Sequence, residues 1–253
     1  MRNPLLASEL AASWLRGGRW TPAWLAEVLP HSQELQIKVG ASARHFMYVG
    51  ERRPDLMQDT YACGTQREAM PARAFFDAVQ HHAAPPWLYF TAPLAQLPGL
   101  LEHAPGWQTL SAPGPSEPWA QLWAASAGAT TQAHYDVADN TFVQLSGDKE
   151  FWLWPPEAHL HLHLFPDSHP RSRKAQLDLE RPDRALHPLS AALPPPLRLV
   201  LAPGDVLCAR LPPPASLTTR GLRRTSHGTR VAPSERVQRP ARSGSRLAAR
   251  GPE

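Results

Sequence analysis

Apolar residues between Leu5 and Leu29 recur at helical spacing, and Thr21-Pro22 supplies an N-cap followed by a first-turn proline, so two short helices are predicted there. Leu35-Gln36-Ile37-Lys38-Val39 alternates as a strand does, and Pro71 to Gln80 returns to helical spacing. Beyond this point the period changes to two. Trp87-Leu88-Tyr89-Phe90, Trp119-Ala120-Gln121-Leu122-Trp123, Thr141-Phe142-Val143-Gln144-Leu145, Glu150-Phe151-Trp152-Leu153-Trp154 and Leu197-Arg198-Leu199-Val200-Leu201 all read as strands. They are bounded by turn residues such as Ser146-Gly147-Asp148 and Pro203-Gly204-Asp205. Helices first and many short strands afterwards predict a mainly β chain, a jelly-roll core with a helical flank.

The pattern stops at Leu211. Pro212-Pro213-Pro214 follows, and then Arg, Ser, Thr, Gly and Pro dominate with no aromatic residue. Such a segment buries too little apolar surface to offset the entropy of ordering it. Residues 208–253 hold ten arginines against Glu235 and Glu253, net +8, so the chain's overall +4 leaves residues 1–207 at −4. The basicity that would suggest a nucleic-acid surface therefore belongs to the tail, and the folded part is mildly acidic.

Length and cysteine content narrow the class further. A chain of 253 residues suits one large domain with a tail. No apolar run reaches the roughly 18 residues a membrane span needs, and the N-terminus lacks a convincing signal peptide. Cys63 and Cys208 form neither a disulfide framework nor a metal-binding pair. The expectation is a soluble, intracellular protein of the cytoplasm or nucleus, with no membrane partner and an oligomeric state the sequence leaves open.

Candidate chemistry sits in Thr131-Gln132-Ala133-His134-Tyr135-Asp136. In an extended segment His134 and Asp136 point to the same face, about 7 Å apart at Cβ. An imidazole and a carboxylate, completed by a distant histidine, form the facial triad of non-haem Fe(II) sites, with positions left open for other ligands. A polar strand end is the competing reading. Lys149 follows just past a hairpin turn, in a chain that writes almost every basic position as arginine and has only three lysines, Lys38, Lys149 and Lys174. A buried cation is what a dicarboxylate co-substrate needs for its far carboxylate; a solvated hairpin lysine is the alternative.

The run from Thr131 through His134, Asp136, Asn140 and Lys149 to Pro155-Pro156 resembles the central motif of JmjC, or cupin-8-like, Fe(II)- and 2-oxoglutarate-dependent oxygenases. Within that family it is most similar to the asparaginyl hydroxylase and tRNA wybutosine hydroxylase types. The resemblance covers roughly residues 20–207 and implies a double-stranded β-helix core. It implies His134 and Asp136 as metal ligands, and Thr131, Lys149 and Tyr89 as 2-oxoglutarate-binding residues, with Asn140 near the metal. No catalytic residue is implied beyond the metal centre. Phe165 to Asp178 is similar to the insert of the protein-hydroxylase branch, whereas His134 to Asn140 reads closer to the tRNA branch; the substrate this implies is a protein side chain, with tRNA as the other possibility.

Three divisions follow: 1–86, a helical flank with the first strands; 87–207, the core, short of its last strands; and 208–253, an Arg/Pro/Ser-rich tail, disordered or out of frame. The family places its third ligand, a histidine, near position 215, where this chain has Ala215-Ser216-Leu217. The resemblance therefore implies a hydroxylase impaired at its metal, or a catalytically inactive binding module. His227 lies in a stretch without strand character. His159-Leu160-His161-Leu162-His163 would put three imidazoles on one face if extended, and is expected to be a solvated run. The nine tryptophans are expected in the core.

Ala-Ser-Leu written as GCA-TCA-CTN becomes His-His when shifted by one nucleotide. Sequencing the transcript across codons 200–230 is expected to show a frame change before codon 215; an unaltered frame there would make the tail genuine.

Overall fold

A computed structural model describes residues 5–7, 11–43, 65–81, 84–110, 119–136, 140–169, 171–209 and 217–222. The chain is mainly β, as the alternating pattern predicts. Eleven strands among the described residues form three sheets, ordered β1-β10-β7, β6-β11-β8-β9 and β3-β2-β4-β5. Their ranges are Leu5–Ala7 (β1), Glu34–Gly40 (β2), Thr65–Pro71 (β3), Trp87–Pro93 (β4), Gln121–Ala125 (β5), Thr130–His134 (β6), Asn140–Val143 (β7), Asp148–Leu153 (β8), Leu197–Leu201 (β9), Val206–Ala209 (β10) and Leu217–Leu222 (β11).

The first two sheets face one another. Phe151 and Leu153 of β8 and Leu201 of β9 meet Leu207 of β10 and Phe142 of β7 in one apolar layer, because alternate residues of each strand turn inward. This is the jelly-roll core. The third sheet carries the helical layer. Helix α1 (Pro22–Val28) packs on α2 (Ala72–His81). Ala72, Phe75 and Phe76 lie at helical i, i+3, i+4 positions and are buried. Phe75 meets Phe76 and Phe90 edge to face, with centroids 5.1 and 5.7 Å away. Thr21 caps α1 as its position predicts, accepting from the Trp24 N–H at 3.2 Å.

The N-terminal prediction needs correction. Leu5–Ala7 is a strand on β10 rather than the start of a helix, and Ala12–Gly18 is a 3-10 turn broken at Arg16 and Gly17. Its register is fixed by the Pro203-Gly204-Asp205 turn. Gly204 has φ +96, open to glycine at little cost; its carbonyl accepts from the Ala11 N–H and its own N–H donates to the Gln144 carbonyl. The Asp205 carboxylate accepts from the Ala202 N–H at 2.9 Å and closes the turn. The sequence does not show β3 as a strand because Gln66 to Ala69 are all exposed on this edge strand and leave no apolar alternation.

The larger difference is at the other end. One strand, β11, lies beyond the expected end of the core, within the segment read as tail. It pairs antiparallel with both β6 and β8 and thereby joins them. Residues 210–216 and 223–253, including His227, lie outside the described residues. Among the described residues no helix is long and apolar enough to cross a membrane.

Phe75→Ala should cost about 3–5 kcal/mol in urea unfolding, the range for emptying a fully buried aromatic site. Leu160→Ala, at a residue 59% exposed, should change stability by less than about 0.5 kcal/mol.

Candidate metal centre and anion site

β6 runs between two partners. β11 occupies one edge, with Leu217 opposite His134 and Thr219 opposite Thr131. On the other edge the Ala175 N–H donates to the Ala133 carbonyl at 2.7 Å and the Tyr135 N–H to the Arg173 carbonyl at 3.2 Å. Residues directly opposite in a ladder share a face. Register across β11 connects Thr131 to Phe151 and His134 to Leu153, so Thr131 and His134 share the inward face that Lys149 also occupies on β8. In a regular strand residues 131 and 134 would face opposite ways; the irregularity between Leu217 and Thr219 reconciles them.

The backbone orients the imidazole. His134 Nδ1 lies 2.8 Å from the Gln132 carbonyl; a carbonyl only accepts, so Nδ1 carries the proton and Nε2 keeps its lone pair. That Nε2 is 3.9 Å from Asp136 Oδ1. The other carboxylate oxygen, Oδ2, accepts from the Asn140 amide at 3.3 Å. Burial lowers the pKa of His134, opposed by the charge of Asp136, and neutral imidazole is the form that ligates. Two donor atoms at right angles on one ion stand roughly 3 Å apart, so a shared ion would draw the half-exposed carboxylate inward.

Tyr89 is buried on β4, and burial followed by the charge of Asp136 raises its pKa; its hydroxyl stays a donor at any ordinary pH. Lys149 Nζ lies over the Phe142 ring at 4.3 Å and the Phe151 ring at 5.4 Å. Among the described residues it has no carboxylate partner, and burial lowers its pKa to about 8. A desolvated cation set against aromatic faces suits an incoming carboxylate.

The other two lysines arrive here as well. Lys174 forms a bridge pair with His134 and feels the charges of Arg173, Asp136 and Arg171. Lys38 stands opposite Tyr89 and Arg67 in the ladders, with Nζ 5.4 Å from the tyrosine ring. Burial, then Lys174 and Arg67, lowers its pKa to about 8. Sequence reasoning assigned neither residue to the site. The signal available was the scarcity of lysine, read at Lys149 and not at Lys38 or Lys174.

The structure thus brings together His134, Asp136, Asn140 and Tyr89, and puts Thr131 and Lys149 on the same inner face. Among the described residues no group of three His, Cys, Asp or Glu side chains is arranged to hold a metal ion. The donor set fits a non-haem iron site in two protein positions, and Leu217 holds the register position opposite His134. Residues 2–209 match the family model described as a cupin-like domain. The chain belongs to the cupin-like family.

Over 92 residues this cupin-like chain is 36% identical to the tRNA wybutosine-synthesizing protein 5 of Danio rerio. The matched stretch is 36% of this chain and 24% of that relative's length.

Lys149→Met gives the sharpest test of the anion site. The folded-state pKa, about 8, lies below the unfolded 10.5, so the ammonium opposes folding below pH 8, and this cost fades as pH rises to 10.5. The variant should be more stable than the parent at pH 7, by on the order of 1–2 kcal/mol after allowance for partial solvent access. By pH 10.5 or above the gain should vanish; chemical unfolding across pH 7–10.5 measures it.

Proposed function

We propose that this cupin-like chain is an Fe(II)- and 2-oxoglutarate-dependent hydroxylase with a weakened metal site. The observation that carries the reading is the juxtaposition of the His134 lone pair and the Asp136 carboxylate with the ammonium of Lys149, which has no carboxylate partner among the described residues, on the same inner face. Iron and 2-oxoglutarate, when bound, supply dioxygen activation and hydroxylation of a substrate C–H bond. The chain's own residues bind and orient. His134 and Asp136 hold the metal, and Asn140 fixes the carboxylate that would otherwise rotate toward solvent. Lys149 pairs with the far carboxylate of the co-substrate, Thr131 contributes its hydroxyl beside it, and Tyr89 donates its buried phenol proton. Phe142 and Phe151 shield part of the ammonium from water, strengthening the ion pair it makes.

For the substrate, the protein side chain implied by the insert around His169 competes with an RNA nucleoside. Two observations favour RNA: the cationic surround of Lys38, Lys174, Arg67 and Arg173, which suits phosphates, and the match to a tRNA wybutosine-synthesizing protein. A second reading, an inactive binding module, is favoured by the leucine opposite His134, since loss of one ligand weakens an Fe(II) site and its geometry.

Co(II) titration together with succinate release, with Fe(II), 2-oxoglutarate and either tRNA or protein substrates, tests these readings. The parent chain should bind Co(II) weakly, and Leu217→His should tighten binding at least tenfold and speed succinate release. Absence of metal binding and turnover in both forms would sink the hydroxylase reading. Parent turnover equal to that of Leu217→His would sink the claim of a weakened site.

A further inference from the structure

The histidine run expected to be solvated is not extended, and one member of it is turned inward. Pro156–Leu160 forms a 3-10 turn, and His163, with φ +48, brings its ring to that of His187, 24 residues later. The centroids are 4.8 Å apart at an interplanar angle of 61°. His187 is 5% exposed. Both Nε2 atoms are out of water with no hydrogen-bond partner among the described residues. Edge-to-face ring packing accounts for the separation but leaves two buried polar nitrogens unsatisfied, at about 1–3 kcal/mol each.

We propose that His163 and His187 are a second transition-metal site, separate from the His134–Asp136 centre, for a borderline divalent ion of the Zn²⁺ or Ni²⁺ type. Two imidazoles bound to one ion through nitrogen at about 2.1 Å, at angles between square and tetrahedral, carry centroids roughly 4.5–5.3 Å apart; the observed separation falls within that interval. An ion would satisfy both orphaned nitrogens at once. Its charge class follows from the donors, since imidazole suits zinc, copper and nickel. His161 lies near enough to act on His163, and its Nδ1 donates to the Leu189 carbonyl at 3.0 Å, which leaves the lone pair on its Nε2.

The surroundings hold the pair in place. The Trp154 indole donates to the Pro194 carbonyl at 2.9 Å, tying the two segments together. Leu162, fully buried with Ala158 and Trp154, fixes the neighbouring turn. Burial, then His187 and His161, lowers the pKa of His163, which keeps its ring in the neutral form that ligates.

Zinc and nickel titrations of the untagged full chain, read by calorimetry and equilibrium dialysis, test the site. The His134→Ala/Asp136→Ala chain should still bind one equivalent of Zn²⁺, and its Tm should rise with added zinc. His187→Phe in that background keeps an aromatic ring against His163, so it should fold with an unchanged circular dichroism spectrum and lose affinity at least tenfold. In the otherwise unaltered chain, His187→Phe and His163→Phe should each remove one of two equivalents. In the His134→Ala/Asp136→Ala chain, zinc binding that survives either phenylalanine substitution, or no zinc binding before one is made, would overturn the proposal. Because it is scored after the first centre is removed, its failure is distinguishable from failure of the hydroxylase reading.

Discussion

The geometry of the candidate site depends on the pairing of β11 between β6 and β8. β6 carries His134 at its last position, and among the described residues β11 is the one named strand to which it hydrogen-bonds. Without that insertion the inner faces of β6 and β8 would have no common register, and Thr131, His134 and Lys149 would not be brought to one side. β11 lies past residue 209, where the family match ends. The strand that organises the site therefore comes from the part of the chain least like the family.

The site is also where the protein works against its own stability. Lys38, Lys149 and Lys174 are each partly desolvated, and among the described residues no carboxylate contributes to the shifts of Lys38 and Lys149. An ordinary core position would hold methionine or leucine instead. Ammonium groups kept in such surroundings are tolerated when an anion completes them, the pattern in which functional sites break local rules that the rest of the fold obeys. Asp136 acts on Tyr89, His134 and Lys174 alike, so one half-exposed carboxylate influences three neighbouring groups.

Much of the fold was legible because burial repeats with the period of each element. Leu197–Leu201 was readable as a strand, and Phe75 and Phe76 lie on the face the helical spacing indicates. What failed did so for physical reasons. Leu5–Ala7 is too short to show alternation, and its partner is two hundred residues away. β11 contains Thr218, Thr219, Arg220 and Gly221, a polar composition that reads as coil and becomes a strand because two edges await it. In the site, His134, Asp136 and Lys149 could be found from spacing and residue type. The role of Lys174 could not, since it arises from a backbone bridge to His134 across 40 residues of chain, and that of the Gln132 carbonyl depends on how the His134 ring is turned rather than on residue type. The histidine run misled because period two presumes extension, and Pro155-Pro156 starts a 3-10 turn.

The pairing of Leu5–Ala7 with β10 bears on where this domain can be cut. β1 covers one edge of the β1-β10-β7 sheet, and β7 lies on the other side of β10. A fragment trimmed to begin at the first turn would leave the N–H and C=O groups of Val206 to Cys208 uncovered, an open edge that invites pairing with another molecule. Leu5–Ala7 thus close an edge of the β1-β10-β7 sheet that would otherwise offer its backbone groups to another strand.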